Sequence, residues 1–404
     1  MVARADRAPR HMQGTGESES ARVRAMSPTS GVTVQFEHVT KRYDRSEKGP
    51  GAVNDLSLDI PAGKICILVG PSGCGKTTSL KMVNRLIEPT AGRILIDGKD
   101  AAQEDPIALR RRIGYVIQQV GLFPHLTIGD NVSVVPRLLG WDRKKQVARS
   151  NELLELVGLS VDRYAKRYPS QLSGGERQRV GVARALAADP PLMLMDEPFG
   201  AVDPIVRERL QNEFLRLQGE LAKTILFVTH DIDEAIKLGD LVAVMQVGGT
   251  LAQFATPAEM LSNPASDFVA RFVGTDRGLK RLSLTKVSEV KPRPAFTARV
   301  GDDGADVRKR AQAEGIRYAL LVDTAEHPVG WIPVRRIPDQ GRLTEGLAES
   351  MSPIFEPANT LKDALGRLLG AGVEQGIVVD ESGRVRGLLT FADFGELLRT
   401  EDAS

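Results

Sequence analysis

Residues Gly70 to Thr77 read GPSGCGKT and fit the pattern G-x-x-x-x-G-K-[ST]. They follow the short apolar run ICILV (65–69) and precede TSLKMVNRLI, which reads as a helix. The pattern needs this context. A buried parallel strand delivers the loop, glycines let backbone N–H groups wrap phosphates, and the helix N-terminus faces the anion. Such a chain is committed to an α/β fold with a parallel sheet. Gly70, Pro71, Ser72, Gly73, Cys74, Gly75, Lys76, Thr77 and Thr78 are the expected nucleotide contacts. Lys76 should reach the β- and γ-phosphates, and the Thr77 hydroxyl should ligate Mg²⁺. Cys74 fills a free position of the motif and reads as a small filler rather than a reactive thiol, although a helix N-terminus can lower a thiol pKa.

Two further apolar runs, LMLMDEP (192–198) and ILFVTHD (225–231), read as buried strands. Each ends in chemistry. Asp196 and Glu197 form an acid pair at a strand terminus: Asp196 suits Mg²⁺, and Glu197 suits polarisation of an attacking water. Glu197 acting only behind the reacting groups is the alternative. His230 at the end of its strand is placed to contact a γ-phosphate. Gln118, in YVIQQVGLFPH, is a candidate for the metal or the water. Tyr43, one of few aromatics, either stacks on a base or packs. Between Ile128 and Ala188 the pattern is mostly helical, which reads as a helical insertion in an α/β nucleotide-binding core.

A second glycine-bearing loop lies far downstream, in QLSGGERQR (171–179). Ser173, Gly174 and Gly175 precede a helical stretch, the build of another anion site. A plain helix cap by Ser173 is the simpler reading of that residue.

The chain has 404 residues, enough for two or three domains, and a formal net charge of +2. That balance gives no push toward nucleic acid, and the scarcity of aromatics argues against a base-stacking surface. Cys66 and Cys74 are the two cysteines, so no disulfide scaffold or zinc site is indicated. No apolar run reaches the roughly 18 residues that span a bilayer. Residues 1–31 are polar, rich in Arg and Ser, and read as a disordered tail, with Met26 an alternative start to Met1. Beyond residue 276 a repeat appears: VRKRAQAEGIRYALLVD (307–323) matches ALGRLLGAGVEQGIVVD (364–380) without a gap. Two like units packed as a pair are expected, divided as 276–340 and 341–404, after a nucleotide-binding domain at 32–275.

Tyr43, GPSGCGKT, Gln118, LSGGERQR, LMLMDEP, Ala201-Val202-Asp203 and His230, in this order, resemble the ATP-binding subunit of ABC transporters. Val202 departs from the usual Leu. The resemblance implies a P-loop NTPase core of ABC ATPase type with a β subdomain and a helical insertion. It also implies Glu197, His230 and Gln118 in catalysis, with Thr77, Gln118 and Asp196 around Mg²⁺. It implies a head-to-tail homodimer in which the signature loop of one chain covers the ATP of the other, with Ser173 and Gly175 at the partner's γ-phosphate, and it adds Gly174 and Asp203 to the nucleotide-binding residues. That answers why one chain carries two phosphate-facing loops: ATP bridges the closed dimer, and its products do not.

KMVNRLIEPTAGRILIDGKD, IGYVIQQVGLFPHLTIGDNV and FVGTDRGLKRL are similar to the glycine betaine, choline, carnitine and proline importers. The implied role is the ATPase of a quaternary amine importer. It would work with separate membrane permease subunits and, indirectly, a substrate-binding protein, at the cytoplasmic face of the plasma membrane. Residues around Gln118–Leu126 with the helical insertion would dock a permease helix. Import of another small solute such as an amino acid is the alternative, and a soluble non-transport ABC ATPase a more distant one. The repeat resembles a tandem CBS (α/β) pair. By that resemblance Thr390 and Asp393 in GLLTFAD would meet a phosphate and a ribose, while Pro333 and Arg336 stand at those offsets in the first repeat. A cyclic dinucleotide, an adenosine nucleotide or anionic lipid are the implied regulators, and a packing module without ligand the alternative.

Overall fold

The computed structural model describes residues 31–43, 51–118, 121–200 and 202–399. Nearly all of the expected N-terminal tail, Gln119 and Ala201 lie outside them.

The core sheet has six strands in the order Thr250–Ala255, Leu241–Gln246, Ile65–Val69, Thr224–Thr229, Leu192–Asp196, Ile113–Val116. All neighbours are parallel except the first pair. The three strands at Ile65–Val69, Leu192–Asp196 and Thr224–Thr229 are buried at every residue, which is why they read as unbroken apolar runs. Alternation still sorts their side chains. Ile65, Ile67 and Val69 face the core shared with the helical insertion. Cys66 and Leu68 face a second core, against an antiparallel sheet in the order Val53–Ile60, Val34–Lys41, Ala91–Ile96, Lys99–Asp100. The expected β subdomain and helical insertion therefore cover opposite faces of one sheet.

Parallel register brings the strand ends level: Val69 pairs with Thr229, Asp196 with Val228, and Val116 with Met195. The loops that follow all open at the same carboxyl edge, where α/β sheets bind ligands.

The two C-terminal units have the same topology. Thr297–Arg299, Tyr318–Val322 and Pro328–Pro333 form one three-stranded sheet; Ile354–Phe355, Gln375–Val379 and Val385–Thr390 form the other. In each, the first pair is parallel and the second antiparallel. Leu320, Val322, Trp331, Ile377 and Val379 form a layer shared by the units, so neither buries its sheet alone. The packing does not respect a division at 340/341. Leu343 lies in the first unit's core with Leu347 and Ala348 against it, while Leu282 and Val287 lie in the second unit's core.

Leu282 ends a connector helix, Arg277–Leu282. Its Lys280 ammonium stands 3.2 Å from Asp233 Oδ1 and 3.1 Å from Asp276 Oδ1, and donates to the Val273 carbonyl at 2.7 Å. Beyond it, the Leu361 N–H donates to the Thr285 carbonyl and the Val287 N–H to the Asn359 carbonyl, both at 2.9 Å. The connector is thus bonded to the unit built on the six-stranded sheet on one side and to the second C-terminal unit on the other.

Candidate functional site

The loop after Ile65–Val69 makes a tight passage. Gly70 has φ 154° and Gly75 has φ 96°. A Cβ at Gly75 would lie 2.2 Å from the Ala52 carbonyl oxygen, and one at Gly70 would lie 2.3 Å from that of Met245. Only glycine fits both positions. Lys76 opens the helix Lys76–Val83 and is almost fully buried. Its ammonium donates to the carbonyls of Gly70 (2.7 Å) and Pro71 (3.0 Å), so it holds the loop's curvature. Cys74 is fully buried in the adjoining core, the filler expected from its place in the motif. Tyr43 is 65% exposed, with its hydroxyl 3.3 Å from that of Thr78, at the mouth of the loop.

The Thr77 hydroxyl donates to Asp196 Oδ1 at 3.0 Å. Burial pushes the Asp196 pKa up; the Thr77 bond opposes this and the Glu197 charge adds to it. The same burial, with the Asp196 charge, pushes the Tyr115 hydroxyl up to about 12. A cation beside Asp196 would reverse the balance there. Thr77 and Asp196 offer hard oxygen donors, as Mg²⁺ prefers, and phosphate oxygens and water would complete its shell. Among the described residues no group of three or more His, Cys, Asp or Glu could hold a metal.

Glu197 gathers the remaining residues. Gln118 Nε2 donates to Glu197 Oε2 at 3.0 Å, and His230 Nδ1 lies 3.2 Å from Glu197 Oε1. The Glu197 N–H donates to the Val228 carbonyl at 2.9 Å, with φ at 45°, a left-handed conformation that a glutamate rarely adopts. Backbone strain of this kind clusters at functional sites. Lys76, Thr77, Asp196, Glu197, Gln118 and His230 thus stand on four loops at one sheet edge.

Ser173 stands elsewhere, at the N-cap of the helix Gly174–Leu186 in the helical insertion. The cap reading is what the structure displays: the Glu176 N–H donates to the Ser173 hydroxyl at 3.3 Å, and the Ser173 N–H donates to Glu176 at 2.7 Å. Gly174 and Gly175 follow, and Asp203 caps the helix Pro204–Leu221 beside them. Together they line an open cleft of about 700 Å³ that also takes in Val206 and Arg209. Among the described residues, no hydrogen bond or ion pair joins this loop to the Lys76 loop.

Glu176 also accepts from the Tyr164 hydroxyl at 2.6 Å. That bond, then those from Ser173, hold its pKa down at about 2, against an ordinary 4.5. A lowered folded-state pKa stabilises the fold above the ordinary value and loses that contribution as pH falls toward the lowered one. Tyr164→Phe is expected to bring the acid-side loss of stability to higher pH, read as urea midpoints across the window from about 4.5 down to about 2. An unchanged acid profile would show that the Tyr164–Glu176 bond is not linked to protons.

In the second C-terminal unit, Thr390 and Asp393 are partners of each other. The Thr390 hydroxyl and N–H both donate to Asp393 Oδ2 at 2.7 Å, and Arg293 Nε donates to Asp393 Oδ1 at 2.5 Å. In the first unit, Arg336 is paired with Glu349.

Sequence reasoning did not single out Glu234, a buried acid under the His230 turn, or Arg207, which bridges to Asp231. Glu234 follows His230 at helical spacing in THDIDEA, the one signal that it shares the turn.

The ABC transporter family profile matches residues 53–200. The osmoprotectant import ATP-binding protein OsmV of Salmonella typhimurium is 44% identical over 375 residues, which cover 92% of this chain and 98% of that protein. The glycine betaine/carnitine/choline transport ATP-binding protein OpuCA of Bacillus subtilis is 44% identical, covering 90% of this chain and 96% of its own length. An ATP-binding cassette solved as a dimer in a post-hydrolysis state, bound to ADP and Pi, matches with a TM-score of 0.50 and 34% identity, over 55% of this chain and 98% of that one. With relatives matched over nearly their whole length, this chain belongs to the ABC transporter ATP-binding proteins, in the branch of osmoprotectant import ATPases.

Proposed function

We propose that the chain hydrolyses ATP to drive import of quaternary amine osmoprotectants such as glycine betaine, choline, carnitine or proline through separate permease subunits. The observation that carries the reading is the grouping of Gln118, Glu197 and His230 beside the Thr77–Asp196 pair, in a chain whose relatives named for such import match over nearly their full length.

The glycine loop and Lys76 bind the phosphates. Tyr43 offers its exposed ring to the base. Thr77 and Asp196 would hold Mg²⁺, which would supply neutralisation of phosphate charge. Glu197, released by His230 and Gln118 as these turn to the nucleotide, accepts a proton from water as the water oxygen attacks the γ-phosphorus and the bond to the β-phosphate oxygen breaks, giving ADP and phosphate. In a head-to-tail homodimer, Ser173, Gly174, Gly175 and Asp203 serve the partner's nucleotide, so the two halves of each site meet only on closure. A second cleft, of about 430 Å³, is lined by Thr127, Asp130, Arg143, Val147 and Lys166 in the helical insertion. With exposed Phe123 and Leu138 in the same part of the fold, it offers apolar and charged contacts to a permease helix. Among the described residues no helix is long and apolar enough to cross a membrane. As the partner of separate permease subunits, the chain works peripherally at the cytoplasmic face of the membrane. The C-terminal units act as a CBS pair that tunes this motor. Closure of Thr390 and Asp393 on each other means that a nucleotide there must first displace Arg293.

The test is ATPase activity in liposomes holding the chain with its permease and binding component, at low and high internal salt. Stimulation by one of the four solutes, and a dependence on salt, are expected. Stimulation only by an amino acid outside this class would leave the motor and overturn the osmoprotectant reading.

A further inference from the structure

Glu234 is a buried acid that neither phosphate binding nor metal holding employs. It is 7% exposed and lies in the first turn of the helix Ile232–Leu238. A carboxylate in that position must find partners. Burial pushes its pKa up, while the Thr229 hydroxyl and the Gln211 amide oppose the rise. Gln211 Nε2 donates to Glu234 Oε1 at 3.1 Å, from the helix Pro204–Leu221, where Gln211 is equally buried. Thr229 ends its strand immediately before His230. The Glu234 side chain is bonded to that helix and its N–H to Asp231, whose own N–H meets the Thr229 hydroxyl, so Glu234 joins the turn around His230 to the helix capped by Asp203.

A second link runs beside it. Arg207 Nη1 stands 3.9 Å from Asp231 Oδ2, and Arg207 Nη2 donates to the Val202 carbonyl at 3.1 Å. Asp231 accepts from the N–H groups of Asp233 (2.9 Å) and Glu234 (3.3 Å), and its own N–H donates to the Thr229 hydroxyl at 3.1 Å. The His230 side chain is 61% exposed, so packing does not aim it. Beside its contact with Glu197, its placement comes from the backbone beneath, which is linked to the helix Pro204–Leu221.

We infer that Glu234 is a positioning residue for His230: with Gln211 it fixes the Thr229–Asp231 turn to the Asp203-capped helix, so the histidine and the Asp203 loop move as one piece. In the head-to-tail dimer, a partner that engages Asp203 then also aims this chain's own histidine. A displacement on the order of 1 Å at a reacting group costs about 10²-fold in rate, so the link belongs to the chemistry although it touches no substrate.

The experiment is a double-mutant cycle on the full chain, with kcat and KM for ATP read from radiolabelled phosphate release. Glu234→Ala is expected to lower kcat by about 10- to 10²-fold with KM for ATP within about two-fold. Glu234→Gln keeps an acceptor for Gln211 and should recover most of the loss. Combined with His230→Ala, the Glu234→Ala change should cost no more than about two-fold further, because both act through one group. Losses that multiply would overturn the inference, as would a raised KM at unchanged kcat. Should Glu234→Ala not fold, Arg207→Met cuts the second link at the half-exposed surface, and the same cycle applies. The inference rests on His230 acting in hydrolysis; full activity of His230→Ala would defeat that reading, whereas multiplying losses defeat only this one.

Discussion

Replacing Glu197 with Gln is expected to lower ATP turnover by about 10²-fold or more while ATP binding persists. The amide keeps the size of the carboxylate and one acceptor for Gln118 or His230, but it cannot take a proton from water. Both Glu197 oxygens are engaged, one by each of these residues. Its backbone is held left-handed by the bond to Val228, so the side chain has little freedom to be replaced by a neighbour. Binding of a fluorescent ATP analogue, measured beside phosphate release, separates the two effects. A loss of only a few-fold would assign Glu197 to orienting the water and leave proton transfer to the phosphate itself.

Ser173→Arg should abolish ATPase activity while leaving ATP binding at the Lys76 loop nearly intact. Among the described residues no hydrogen bond or ion pair joins the Ser173 and Lys76 loops, and the Ser173 loop opens onto its own cleft. An arginine there would block a partner's γ-phosphate without reaching the chain's own. Loss of the N-cap costs about 1 kcal/mol, so a thermal midpoint must accompany the assay. Ser173→Asn keeps a capping side chain and serves as the control for that cost. Loss of ATP binding together with activity in a folded Ser173→Arg chain would show that the loop serves its own nucleotide, not a partner's.

The local parts of this site were legible because each is written in consecutive residues. ICILV followed by GPSGCGKT prescribes a strand, a loop and a helix, and the strand Ile65–Val69 and helix Lys76–Val83 stand there. The acids after LMLM and the histidine after ILFVT were legible as strand ends for the same reason. The contacts among Gln118, Glu197 and His230 were not, since they depend on strand order, and no pattern within a strand states which strand lies next to it. Glu234 was hidden for another reason. An acid in a first helical turn normally faces water, and its burial depends on Gln211 from a distant helix. The repeat was legible from Gly315 and Gly372, which share φ values of 66° and 65°. Its limits were not, because Leu282 and Leu343 are single apolar residues in polar surroundings, and nothing local says which core receives them.

The connector helix Arg277–Leu282 reaches the helix that follows His230 through the ion pair of Lys280 with Asp233. The Asp233 side chain is 70% exposed, which puts that pair within reach of dissolved ions. Ion pairs at a surface weaken as the screening length shrinks from about 8 Å at physiological salt to about 3 Å at 1 M. That pair is therefore strongest at low ionic strength and weakest at high, whereas the Lys280 bonds to Asp276 and to the Val273 carbonyl lie on the connector's own side of the joint.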